Sequence, residues 1–149
     1  MNSLVCVDAG ILIKLVVEEA GSGLADALWE SWIQNDVQVI APVLLRYEVT
    51  AVLGKKAYRK LLSEAIASAA LSAVLNLEGI EFVNSLALHL RAWEMACRLN
   101  LPAAYDAHYL ALAEMRRCEF WTADERLYNH LKGPVPYIHR LGEVRTLAS

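Results

Sequence analysis

The chain has 149 residues, of which 56% are hydrophobic and 21% charged, and its formal net charge is −3. That length and balance describe one compact domain over 1–149 and exclude a disordered, fibrous or two-domain protein. The acidic balance also excludes capture of a polyanion by the overall field, so a nucleic-acid ligand would need a local basic rim.

Along the chain, Leu4 to Val7 is a continuous apolar run of the type found in buried parallel strands. It ends at Asp8-Ala9-Gly10 and is followed by an apolar stretch, Ile11 to Val17, which predicts strand, tight turn and helix. Leu24, Leu28, Trp29, Trp32 and Ile33 recur at helical spacing, and Val37 to Ala41 predicts a second strand before Pro42. From Val43 to about Ser72 the pattern is helical, with Gly54 as a boundary or kink. Glu81 to Val83 reads as a short strand, and Ser85 as the cap of a helix reaching Leu99. Another helix is predicted from Ala104 to Arg116, then a strand at Phe120 to Thr122. Thr122-Ala123-Asp124-Glu125 has the form of a capping box over a short helix to Leu131, and Val135 to His139 supplies a last strand. Strands alternating with helices predict an α/β fold: a central, mostly parallel sheet with helices on both faces and its ligand crevice beyond the carboxyl ends of the strands.

Neither apolar candidate for a membrane segment is long enough. The N-terminal stretch is broken by Asp8 and Lys14, and the uncharged stretch Ala65 to Leu77 falls below the roughly 18 residues a span needs. No membrane span and no signal peptide are expected, which points to the cytoplasm. Cys6, Cys97 and Cys118 are odd in number and widely separated, so they are expected to be reduced core residues. The four histidines show no zinc-binding spacing, so oxygen is the expected ligand atom for any metal.

Four acids stand where charge is costly. Asp8 ends the most hydrophobic strand, although a turn-forming Asp would also account for it. Glu48 has Leu44, Leu45, Ala51 and Val52 as helical neighbours, and Asp106 has Pro102, Ala103, Tyr109 and Leu110. Pairing with a basic residue, or a place in a first helical turn, would explain these two without a shared site. Asp124 alone is ordinary beneath a Thr122 cap. If the four converge, their repulsion makes a bound cation the natural compensation, and oxygen ligands favour Mg2+ or Mn2+ and phosphoryl chemistry.

Four segments, Val5 to Gly10, Ala41 to Val49, Ala104 to Ala113 and Trp121 to Leu127, resemble in kind, order and spacing the PIN-domain nucleases, particularly the VapC toxins. The resemblance implies a PIN-like fold and a Mg2+- or Mn2+-dependent endoribonuclease, the toxin of a toxin-antitoxin pair. It assigns Asp8, Glu48, Asp106 and Asp124 as the catalytic and metal-binding quartet, with the Thr122 hydroxyl supporting the site. It further implies an RNA substrate, a small antitoxin whose tail blocks the crevice, and a homodimer. Gly10 departs from the family, which usually carries Ser or Asn there, so a polar contact near Asp8 is missing. A stand-alone RNA-processing nuclease and a silent binding module of the same fold are the alternatives.

For RNA contact the candidates are Lys14, Arg46, Lys55, Lys56 and Arg59, the last three beside Tyr58 and Lys60, with Arg116, Arg117 and Arg126 flanking the later motifs. A solvated helix end explains the 55–60 run equally well. His108 lies two residues after Asp106 and points to another helix face, which keeps it out of the catalytic set. Tyr47, Tyr105, Trp121, Trp29 and Trp32 are expected in the core or an interface. The Ala65 to Leu77 helix is expected to offer an apolar face to a second subunit or an antitoxin, with a purely internal core helix as the competing account.

Overall fold

A computed structural model describes residues 3–144. In chain order the elements are β1 (Leu4–Val7), α1 (Ala9–Val16), α2 (Ser22–Gln34), β2 (Gln38–Pro42), α3 (Leu44–Tyr58), α4 (Glu64–Leu75) and β3 (Ile80–Val83). There follow α5 (Leu86–Arg98), α6 (Tyr105–Arg116), β4 (Glu119–Thr122), α7 (Glu125–Leu131), β5 (Ile138–Arg140) and a 3-10 turn at Leu141–Glu143. The strands form one sheet in the order β3-β2-β1-β4-β5, and every pairing is parallel. Cys6 at the sheet's centre lies opposite Ile40 on one side and Phe120 on the other.

Strand β1 leads toward β2, whereas β4 leads the opposite way toward β5, so the chain reverses direction between the carboxyl ends of β1 and β4. Such a switch point opens a crevice in a parallel sheet. Right-handed crossovers place α1 to α4 on one face and α5, α6 and α7 on the other. Packing agrees: α1 contacts α2, α3 and α4, and α6 lies against α5 and against β1, β2 and β4. Because α6 is covered on both sides, Ala107, Tyr109, Leu110, Ala111, Leu112 and Ala113 are all buried. On the other face Trp32 meets Trp29 and Trp121 edge-on, at 5.9 and 6.1 Å between ring centroids, which ties α2 to β4.

The structure differs from the sequence reading at several boundaries. Helix α3 passes through Gly54 without a break, since Leu53 anchors that turn in the core while Gly54 faces open space. The boundary falls instead at Arg59 to Ser63, where Lys60 adopts a left-handed conformation (φ 59°) and the Ser63 hydroxyl accepts the Ile66 N–H to start α4. The cap of α7 is Asp124 and not Thr122. The last strand begins at Ile138: Pro136 has no N–H to give to a ladder, and Val135 still bonds back to Leu131.

Side chains also depart from expectation. Cys6 is buried, but Cys97 is exposed and Cys118 only half-buried. Trp32 and Trp121 are core residues, whereas Tyr47 and Tyr105 are exposed. Helix α4 turns Ala67, Ala70 and Val74 inward and leaves Ile66 and Leu75 outside, so its apolar face is largely internal. No helix of the described residues is long and apolar enough to cross a membrane.

Leu110 is fully buried on the helix that supports the central strands. Leu110→Ala is expected to lower unfolding stability by about 2–5 kcal/mol, read as a lower urea midpoint with an unchanged slope.

Candidate active site

Asp8 occupies the first position beyond β1 and caps α1, its Oδ1 accepting the Ile11 N–H at 3.1 Å. Its other oxygen, Oδ2, accepts the Thr122 hydroxyl proton and the Ala123 N–H, the latter at 3.3 Å. Thr122 is completely buried, and its Oγ1 also accepts the Asp124 N–H at 2.9 Å. Asp124 in turn caps α7, with Oδ1 accepting the N–H groups of Arg126 and Leu127. Helix α3 brings Glu48 over the same edge, and the first turn of α6 brings Asp106. One turn later Tyr109 donates its phenolic proton to Glu48 Oε1.

All four acids line one cleft of about 340 Å³, together with Lys14, Glu19 and Lys56. Their charges disturb one another. Burial, with the Glu48 charge added, pushes the Asp8 carboxyl up to about 6 against the opposing pull of its three hydrogen bonds. Glu48 is raised by burial and by Asp106, partly offset by the Tyr109 hydroxyl, and Asp106 is raised by burial and by Asp124. The Tyr109 hydroxyl is pushed far above its ordinary range by burial and by Glu48, so it remains a donor.

The nearby cations do not relieve this repulsion. Lys14 Nζ lies 3.2 Å from Glu19 Oε1 and bonds the Ala20 carbonyl at 2.8 Å, and Lys56 Nζ lies 3.5 Å from Glu19 Oε2. Meanwhile Glu48 Oε2, Asp124 Oδ2 and both Asp106 oxygens have no hydrogen-bond partner among the described residues. Hard oxygens with free lone pairs suit Mg2+ or Mn2+, and the cleft offers no sulfur ligand. Among the described residues, no three His, Cys, Asp or Glu side chains stand close enough to hold an ion directly. The carboxylates ring the cleft without contracting into a cage, which suits a cation that keeps several of its waters.

Of the basic candidates, Lys14 and Lys56 reach the cleft. Arg46 does not: its guanidinium lies 4.1 Å from the centre of the Phe82 ring. Lys55 and Arg59 are exposed at the far end of α3 and do not line the cleft. His108 faces a different cleft, as its helix position predicts. At Gly10 an added Cβ would stand 3.1 Å from the Ala123 Cβ and 3.5 Å from Asp8 Oδ1, so a side chain there must displace Ala123. The hydroxyl that Asp8 lacks from position 10 comes from Thr122 on the neighbouring strand.

Three participants escape sequence reasoning: Glu19, Tyr109 and the Ala123 N–H. Tyr109 carries a signal in its type, since a buried phenol usually finds a hydrogen-bond partner, but its helical spacing marks it as core. Glu19 and a backbone N–H carry none.

Fold and cleft together define a parallel α/β protein with an acidic crevice at the sheet's switch point. The chain belongs to the PIN domain family, whose profile matches residues 5–132. Among solved structures it is similar to PAE2754 from Pyrobaculum aerophilum, at 25% identity over 100% of both chains with a TM-score of 0.67. It is also similar to Mycobacterium tuberculosis VapC20, described as a toxin that cleaves the sarcin-ricin loop. That likeness has 19% identity and a TM-score of 0.62, and it covers 80% of this chain and 87% of the other. No curated protein matches the sequence significantly.

A folded carboxyl raised above its unfolded value binds a proton that the unfolded chain releases, so its stability contribution is full at low pH and is lost as pH rises toward the folded value. For Asp8 the window runs from the ordinary aspartate range to about 6. In EDTA, wild-type stability should fall relative to Asp8→Asn by roughly 1–3 kcal/mol between pH 4 and 7, measured by urea unfolding.

Proposed function

We propose that this chain is a divalent-metal-dependent endoribonuclease, using Mg2+ or Mn2+, and the toxin of a toxin-antitoxin pair. The observation that carries this reading is the arrival of Asp8, Glu48, Asp106 and Asp124 in one cleft from four separate segments of the chain. Their carboxyl groups repel one another, and a bound cation would offset that repulsion. Family membership supports nuclease chemistry, and likeness to VapC20 in fold supports the toxin setting.

Asp8, Asp106, Asp124 and Glu48 would hold the metal, directly or through its waters. A divalent cation held there supplies a water nucleophile at neutral pH and neutralises charge developing on the phosphate oxygens. The protein's own share is orientation. Thr122, Ala123 and the start of α1 fix the Asp8 carboxylate from three sides, and the Tyr109 hydroxyl fixes Glu48. Lys14 and Lys56, drawn together at the rim by Glu19, meet the phosphates of an entering strand. That local rim is how a chain of net charge −3 holds RNA.

The same surplus of negative charge suits an antitoxin that inserts a cationic side chain into the cleft. A second copy of the chain has a candidate surface on α5, where Leu86, Leu90 and Trp93 form an exposed stripe at 83%, 68% and 66% accessibility. Leucines and a tryptophan at helical spacing on an exposed face are the usual mark of a contact surface.

The purified protein is expected to cut a mixed fluorescent RNA pool with Mg2+ or Mn2+, and to stop in EDTA. Asp106→Asn and Asp8→Asn should each lower cleavage at least about 100-fold while retaining the wild-type circular dichroism spectrum. Full activity in either variant, or undiminished cleavage in EDTA, contradicts the assignment.

A further inference from the structure

A second cleft of about 350 Å³ opens at the same edge of the sheet, between the start of α3, the end of β3, α5 and α6. It shares a ridge with the acidic cleft. Tyr47 lines the second cleft and Glu48 the first; Tyr105 lines the second and Asp106 the first; His108 lines the second and Tyr109 the first. Consecutive Cα atoms are about 3.8 Å apart, so the two clefts are neighbours on the scale of one nucleotide.

Their chemistries are opposite. The second cleft has no Lys, Arg, Asp or Glu in its lining, so it offers a phosphate no fixed positive charge. It presents two phenol rings, Tyr47 and Tyr105, which are 71% and 64% exposed and form no aromatic pair among the described residues. Beside them His89 and His108 are linked ring to ring, Nδ1 to Nε2 at 3.0 Å. His108 Nδ1 lies 2.6 Å from the Ala104 carbonyl and must donate to it. In the neutral pair His108 Nε2 therefore accepts from His89 Nδ1, which leaves His89 Nε2 as an acceptor. A neutral, flat ligand with hydrogen-bonding edges matches this set of rings and polar tips.

We propose that the second cleft is a nucleobase subsite, in which Tyr47 and Tyr105 stack an unpaired base of the RNA strand beside the phosphodiester held at the acids. This rests on the nuclease reading and adds to it a single-stranded register: one base withdrawn into the aromatic cleft, one phosphate over the carboxylates. Base-aromatic stacking tolerates any base, so the cleft sets position along the strand, and the imidazole pair adds a preference for a base edge that can donate.

The test uses the full chain and a short single-stranded RNA carrying one 4-thiouridine at successive positions, irradiated in EDTA and mapped by mass spectrometry. Adducts are expected on Tyr47, Tyr105 or His89 from one position of the strand. Tyr47→Ala and Tyr105→Ala should each weaken binding of that RNA about 5- to 100-fold, and Tyr47→Phe and Tyr105→Phe should bind within about twofold of wild type. Both tyrosines are exposed, so these variants fold. Adducts confined to other surfaces, or alanine variants that bind RNA as wild type does, overturn the subsite even if the protein cuts RNA. Alanine variants that keep RNA binding but no longer bind a second copy or a partner protein also overturn it, in favour of a docking surface. A wild type that neither binds nor cuts RNA overturns the subsite and the nuclease reading together.

Discussion

Thr122 donates its hydroxyl proton to Asp8, which ties the end of β1 to the end of β4, and the same hydroxyl accepts the Asp124 N–H, which holds a second acid at that junction. The Asp8 N–H completes the junction by bonding the Trp121 carbonyl at 3.3 Å. These strands are neighbours in the sheet but diverge beyond it, and the crevice opens where they part. Because Thr122 is fully buried, removal of its hydroxyl would leave the Asp124 N–H without a protein partner, a loss of about 1–3 kcal/mol, and would leave Asp8 Oδ2 with the Ala123 N–H alone. The position of two of the four acids is therefore set by the core and not by the flexible surface.

The rest of the working face follows from what that junction makes possible. Two carboxylates at strand ends are met by Glu48 from α3 and Asp106 from α6, helices that pack on opposite faces of the sheet. Like charges gathered in a partly dry cleft oppose folding, and the fold tolerates them because hydrogen bonds from Thr122, Ala123, Ile11 and Tyr109 hold the ionised forms. The lysines at the rim are engaged by Glu19, so the charge imbalance remains inside the cleft. Under the proposed function, that cost in stability is the counterpart of affinity toward a cation.

Much of this arrangement was legible in the sequence. The abrupt charge at Asp8 after Leu4 to Val7, and the acid at position 48 amid leucines and valine, stand out against burial, and the structure brings both to one cleft. The alternation of strands and helices gave the parallel sheet, and its carboxyl edge gave the crevice. What stayed hidden involves contacts between residues far apart in the chain. The local spacing of Thr122 fits a helix cap, and only the family resemblance gives its hydroxyl a part in the site; its direction, across the sheet to a residue 114 positions away, is in no local pattern. The type of Tyr47 and Tyr105 fits the core or an interface alike, and the choice between them depends on which helix face meets the sheet; both are exposed. The α5 stripe was overlooked because leucine and tryptophan at helical spacing have the same pattern whether they face a core or open solvent.

Asp8, Glu48, Asp106 and Asp124 are proposed to form one cation site. Calorimetric titration of Mn2+ into the protein at pH 6, repeated in buffers of different ionisation enthalpy, tests it most directly. Saturable binding with release of protons is expected, because burial raises the Asp8 carboxyl to about 6 and it must ionise to face a cation, and both signals should be lost in the Asp8→Asn, Asp106→Asn double variant. Binding that persists unchanged in the double variant, or no binding to the wild type at all, would contradict it.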